Sequence, residues 1–184
     1  MAGTYTAPEQ SSAPASPSAG NRSLIPASDG WHDLDSNGNY PVIGGILKRV
    51  STQFDKTADT ALANITGLSS DLTAGKTYYF EAELYTISNV GGGVKFSVAG
   101  TATATAIIYE AVVIDSNVNA AQTRATALAG AVGGVTAVTV AYCKIVGTIT
   151  VNAAGTLTVQ FAQNASNGAA SSVLVGSIFK VKQI

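Results

Sequence analysis

The chain is 184 residues long, with 46% hydrophobic residues, 11% charged residues and a net charge of -1. That length holds one good core plus appendages, and that charge balance excludes a basic footprint for nucleic acid and a polybasic patch for a membrane surface. Ordinary soluble domains carry roughly 25% charge, so this chain is short of polar cover as a monomer. Burying part of its surface in an oligomer is the natural remedy.

Residues 1–23, MAGTYTAPEQSSAPASPSAGNRS, place Pro8, Pro14 and Pro17 among Ser, Ala and Gly. Such a segment forms no helix and buries no core, and reads as an extended arm. Met1 leads into polar sequence, so no secretory leader is expected. Residues 24–47 read as a small β-hairpin anchor. Ser28-Asp29-Gly30 is a turn, Trp31 starts an extended run, and Asn37-Gly38 is a type I′ hairpin signal before Tyr40, Val42 and Ile43. Asp33, Asp35, Asn37 and Gly38 also match the first half of an EF-hand loop. The twelfth position, where a bidentate Glu belongs, is Gly44, so no metal is expected there. His32 has no second His or Cys suited to a metal site, and is expected at the hairpin surface.

Residues 48–184 read as the main domain. From Thr77 to Ile87, Tyr78, Phe80, Ala82 and Leu84 share one face, with Tyr79, Glu81, Glu83 and Tyr85 on the other. Gly91-Gly92-Gly93 is a loop, Val94, Phe96 and Val98 alternate with Lys95 and Ser97, and Thr103–Asp115 is another long strand. Asn117–Leu128 puts Ala121, Ala125 and Leu128 at helical spacing, but its neighbours all read as strand, so strand is expected here too. Ala125–Cys143 is uncharged, yet its Ala, Gly and Thr content is too weakly apolar for a spanning helix. It is expected to be two short elements around a turn at Gly133-Gly134, the second being Val135–Tyr142. The most regular stretch is Lys144–Gln163. Ile145, Gly147, Ile149 and Val151, then Leu157, Val159 and Phe161, alternate around a turn ending at Gly155. That pattern predicts a half-buried hairpin, with Gly155 at positive φ. With Ser172–Val181 the count reaches eight to ten strands. Alternation by itself gives an all-β, antiparallel sandwich.

Chemistry is sparse. Cys143 lies in apolar sequence and reads as a buried, inert thiol. Glu81 and Glu83 share one strand face, whereas a glycosidase pair flanks a cleft. With Lys95 and Glu110 they read as charges on a solvated or intersubunit face. No nucleophile elbow, P-loop, H-E-x-x-H or paired C-x-x-C occurs. The chain therefore reads as a non-enzyme with no catalytic residue, metal or cofactor. The sequons at Asn21, Asn64 and Asn164 mean little without a secretory signal.

Two segments carry a resemblance. Pro17–Leu24, Ser28-Asp29-Gly30-Trp31 and Asp35-Ser36-Asn37-Gly38 are similar to the N-terminal regions of tailed-phage virion proteins, where a Pro/Ala arm leads into a small hairpin. Ile145–Asn152, Gly155–Asn164 and Gly176-Ser177 resemble the trimeric, TNF-like jelly-roll domain of phage decoration, head-fibre and tail proteins. The resemblance implies a homotrimeric jelly roll in a virion. The absence of shaft repeats favours a capsid cement or decoration protein on the capsid exterior, with the major capsid protein as partner. The alternative is a receptor- or glycan-binding tip of a head or tail fibre. On the first reading Tyr5, Pro8, Pro14, Pro17, Leu24, Trp31 and Tyr40 grip the shell. The face bearing Tyr79 and Tyr85 is the candidate subunit interface.

Overall fold

The computed structural model describes residues 14–28, 30–35, 42–115, 120–136 and 139–184. Among them there is no helix, and every named strand pairing is antiparallel. The chain divides into two units, one running to Ile46 and one spanning Leu47–Lys182.

In the first unit, β1 (Arg22–Ala27) pairs with β2 (Gly30–Asp35), with Leu24 opposite Asp33 and Pro26 opposite Trp31. Val42 bridges His32, and the Ile43 amide donates to the Trp31 carbonyl at 2.7 Å. The two strands thus join between Ala27 and Gly30, at the expected Ser28-Asp29-Gly30 turn, and Asn37-Gly38 and Tyr40 lie outside the described residues. The first strand starts at Arg22, inside the expected arm. His32 corrects a second expectation: it is buried, as is Leu34, while the intervening residues face the other way. Strand alternation puts His32 and Leu34 on one face and Trp31 on the other. Asp33, first in the calcium-like run, is gripped by Arg22 through both carboxylate oxygens, at 3.0 and 2.5 Å.

The second unit holds β3 (Ile46–Arg49), β4 (Phe54–Lys56), β5 (Ala63–Leu72), β6 (Thr77–Ile87), β7 (Val94–Ala99) and β8 (Thr103–Asp115). It continues through β9 (Ala120–Ala125), β10 (Val132–Val135), β11 (Val140–Ala153), β12 (Gly155–Ala162), β13 (Ser171–Val173) and β14 (Ile178–Gln183). One sheet runs β10-β7-β12-β5. The other runs β3-β14-β6-β11-β8-β9, with β13 joining β4 and β6. From β5 to β12 every step but β8–β9 crosses between the sheets, which is the double winding of a jelly roll. The core lies between them. Phe80, Phe96, Tyr109, Phe161 and Phe179 are buried there with Leu84, Ile145, Ile149 and Leu157, each worth about 1.5–3 kcal/mol in burial.

The regular stretch at 144–163 has the faces its alternation implies but not the pairing. β11 lies between β6 and β8, whereas β12 lies between β5 and β7 in the opposite sheet. Ile145, Ile149 and Val151 therefore meet Leu157, Val159 and Phe161 across the core instead of along one sheet. Gly155 is not at positive φ. It is a glycine because a Cβ there would stand 2.4 Å from the Ala102 nitrogen and 2.6 Å from the Thr101 carbonyl carbon, at the corner where the chain changes sheets.

The remaining corrections concern glycines and short strands. Gly133-Gly134 lies within β10, where Gly133 takes φ +65 at a register shift, so the pair bulges a strand and does not end one. Val135–Tyr142 is divided between β10 and β11, and Ser172–Val181 between β13 and β14. Strand structure in Asn117–Leu128 covers Ala120–Ala125, followed by a turn. That turn is tied down by Tyr109, whose hydroxyl donates to the Gly130 carbonyl at 2.5 Å.

Candidate interaction face

The long strands β6, β11 and β8 sit side by side, with every second residue in the core. The side chains between them form one outer face. Register orders that face in rows: Tyr79–Thr148–Ile108, Glu81–Val146–Glu110–Arg124, Glu83–Lys144–Val112–Gln122, Tyr85–Tyr142–Ile114 and Ile87–Val140. The candidate interface residues Tyr79 and Tyr85 both lie on it, at opposite ends of β6.

The middle rows are charged, and Glu81 and Glu110 are paired within the chain. Lys144 Nζ stands 2.6 Å from Glu81 Oε1, and the Tyr79 hydroxyl donates to Glu81 Oε2 at 2.9 Å. Arg124 pairs with Glu110 at 2.9 Å, and Gln122 donates to the same carboxylate. The Lys144 ammonium holds the Glu81 carboxyl below its ordinary range. Gln122 and then Arg124 do the same for Glu110. Glu81 in return raises Lys144, and desolvation raises the Tyr79 phenol, helped by its bond to Glu81. The pairing favours the ionised form of both carboxylates. Lys95, grouped with these charges by sequence, lies in the other sheet on β7.

At one end, Tyr79, Ile108, Glu110, Arg124, Val146 and Thr148 wall a shallow groove of about 420 Å³ floored by the backbone of Gly147. At the other end the face is apolar and exposed. Tyr85 is 47% exposed, Ile87 48%, Ile114 45% and Val140 55%. The Tyr85 and Tyr142 rings pack together with centroids 5.7 Å apart. Sequence reasoning found Tyr85 but missed Ile114, Val140 and Tyr142, because only register brings three strands into one patch.

The other expected site residues are elsewhere. Leu24 and Trp31 are in the first unit, 65% and 52% exposed. Pro14 and Pro17 are in irregular chain before β1. Tyr5, Pro8 and Tyr40 lie outside the described residues. Cys143 is buried on the inner side of β11, as expected, and desolvation pushes its thiol far up. No group of His, Cys, Asp and Glu suited to a metal occurs among the described residues.

No protein-family model matches the chain. No curated protein matches it either. Among solved structures, that of infectious bursal disease virus, Gt strain, is similar over 94% of this chain at 14% identity and a TM-score of 0.24. This chain covers 50% of that one. At that TM-score the likeness carries no argument.

Proposed function

We propose that the chain is a virion structural protein, a capsid cement or decoration protein that binds the outside of a tailed-phage head as a homotrimer. The arm and the β1–β2 hairpin grip the major capsid protein, and the jelly roll forms the outward body. The observation that carries this reading is the division of labour along the chain. A separate small unit exposes Leu24 and Trp31. The body has an extended outer face on which Glu81 and Glu110 pair internally and whose apolar end is exposed. That suits a protein built to be covered at two places, and the resemblance of the N-terminal and C-terminal segments to phage virion proteins supports the setting. Nothing on the outer face assembles a nucleophile, base and oxyanion donors, so the role is proposed as non-enzymatic.

The groove at Tyr79, Ile108 and Arg124 favours the second reading, a receptor- or glycan-binding fibre tip, since it joins an aromatic ring to fixed polar groups. Copy number separates the two. Mass spectrometry of purified particles should find this chain in many copies per head, and deletion of residues 1–21 should abolish its addition to bare heads. A handful of copies per particle would instead favour the fibre tip.

A further inference from the structure

The proposed homotrimer leaves open which part of the body meets its neighbours, and the outer face is divided sharply enough to decide. We propose that the apolar end of that face, formed by Tyr85, Ile87, Ile114, Val140 and Tyr142, is the contact with further copies of this chain, and that Tyr79 and the groove lie outside it. The inference rests on the oligomeric reading above and narrows it to one patch.

The first argument is contiguity. Tyr142 stands opposite both Tyr85 and Ile114, and Val140 opposite Ile87, so adjacent rows of three neighbouring strands make one apolar surface. Large apolar side chains packed together and left half exposed are what a monomer avoids.

The second argument is charge, and it selects the occupant. Identical copies bring identical charges together, so a face with unpaired charge repels its own copy. Here Glu81 is already met by Lys144 and Glu110 by Arg124 within one chain, and Glu83, in the row next to the patch, stands opposite the same Lys144. The face beside the patch therefore carries at most one carboxylate in excess, and a second copy meets it with little repulsion. A charged foreign surface would gain nothing from it.

The third argument is size. With strands of 11 to 14 residues, the outer face of β6, β11 and β8 covers roughly 35 by 15 Å. That is on the order of 500 Å² for the whole face, of which the patch takes about two of five rows, so it forms the apolar centre of a contact that needs roughly 800 Å² per partner. In a closed ring, a patch at the rotation axis meets the same patch of every copy. Like residues such as tyrosine and isoleucine can then stack without any special complement.

The experiment is light scattering with size-exclusion chromatography on the full chain at micromolar concentration, with circular dichroism as the control for folding. Wild type and Tyr79→Lys should both have the mass of a trimer, and Ile114→Lys and Val140→Lys should have the mass of a folded monomer. Two variants on different strands guard against one that fails to fold. If wild type is a trimer and both patch variants stay trimers, the patch is not the contact, although the decoration reading survives. If wild type is a dimer that both variants split, the patch stands and the threefold reading falls. A monomeric wild type whose binding to bare heads is lost in Ile114→Lys would overturn the inference, because the shell and not a second copy would then cover the patch.

Discussion

The loop end of the body and the outer face of its larger sheet solve opposite problems. At the loop end a polar side chain is buried and fully satisfied by its own chain. Gln163 is fully buried, its amide oxygen accepts from the Asp59 and Asn167 backbone amides at 3.2 and 3.1 Å, and its amide nitrogen donates to the Asn167 and Ala169 carbonyls at 3.1 and 2.7 Å. One side chain thus closes the 163–169 loop and ties it to the loop before β5. On the outer face the reverse holds: apolar side chains are exposed, and none of the described residues covers them. A buried polar group left unmatched costs stability at once, so the protein must resolve it internally. Exposed apolar area can wait for a partner. The first region therefore reports on the fold, and the second on what the fold is for.

The largest expected effect breaks the first half of that comparison. Gln163→Leu keeps the volume but strands the Asn167 and Asp59 amides and the Ala169 carbonyl, while the Asn167 carbonyl keeps the Ala58 amide. We expect a loss of roughly 3 kcal/mol, seen as a fall in Tm of about 10 °C for a chain of this size. Calorimetry that finds the variant within a degree of wild type would show that the loops are held by other contacts.

A smaller effect sharpens the second half through pH. The Glu81 and Glu110 carboxyls are lowered by pairing with Lys144 and with Gln122 and Arg124. Tyr79 and Lys180 also favour the Glu81 anion. A carboxyl whose folded pKa lies below its unfolded value stabilises the fold above about pH 4.3. That contribution disappears as pH falls through the lower, folded value. The pairs are largely open to solvent and screened by salt, so the effect is modest. Urea unfolding between pH 7 and 3 should show a decline that is shallower in the Glu81→Gln/Glu110→Gln double variant. Asp59, lowered by its bond to Lys56, should keep part of the decline in that variant. Equal slopes would mean that the outer-face pairs contribute nothing to the fold.

How far this was legible in sequence depends on what each residue pattern encodes. The bounds of β6 and β8 coincide with the expected runs Thr77–Ile87 and Thr103–Asp115, because unbroken alternation encodes which side is buried. β5 was invisible. Gly67 sits at φ +90 between Ile65 and Leu68, so the buried positions slip from a period of two and no alternation marks the strand. Its Cβ would also stand 2.8 Å from the Arg49 carbonyl oxygen, which is why no larger residue repairs the pattern. Pairing was the other loss. Alternation states that 145–151 and 157–161 have inner faces, and it fits a hairpin and two facing strands equally well. The same limit hid the apolar patch. Tyr85 was visible on its own strand, but Ile114 and Val140 become its neighbours only through the register of β11 with β6 and β8.

The most direct test of the central claim, that copies of this chain meet at the apolar end of the outer face, is oxidative cross-linking through single new cysteines. The natural Cys143 is buried, and burial pushes its thiol far up, so it supplies a quiet background. Val140→Cys and, as a control, Thr66→Cys on the exposed side of β5 in the other sheet would each be oxidised at micromolar concentration and run on a non-reducing gel. A covalent dimer from Val140→Cys, with none from Thr66→Cys, is the expected result. No cross-link at Val140, or an equally strong one at Thr66, would contradict the account.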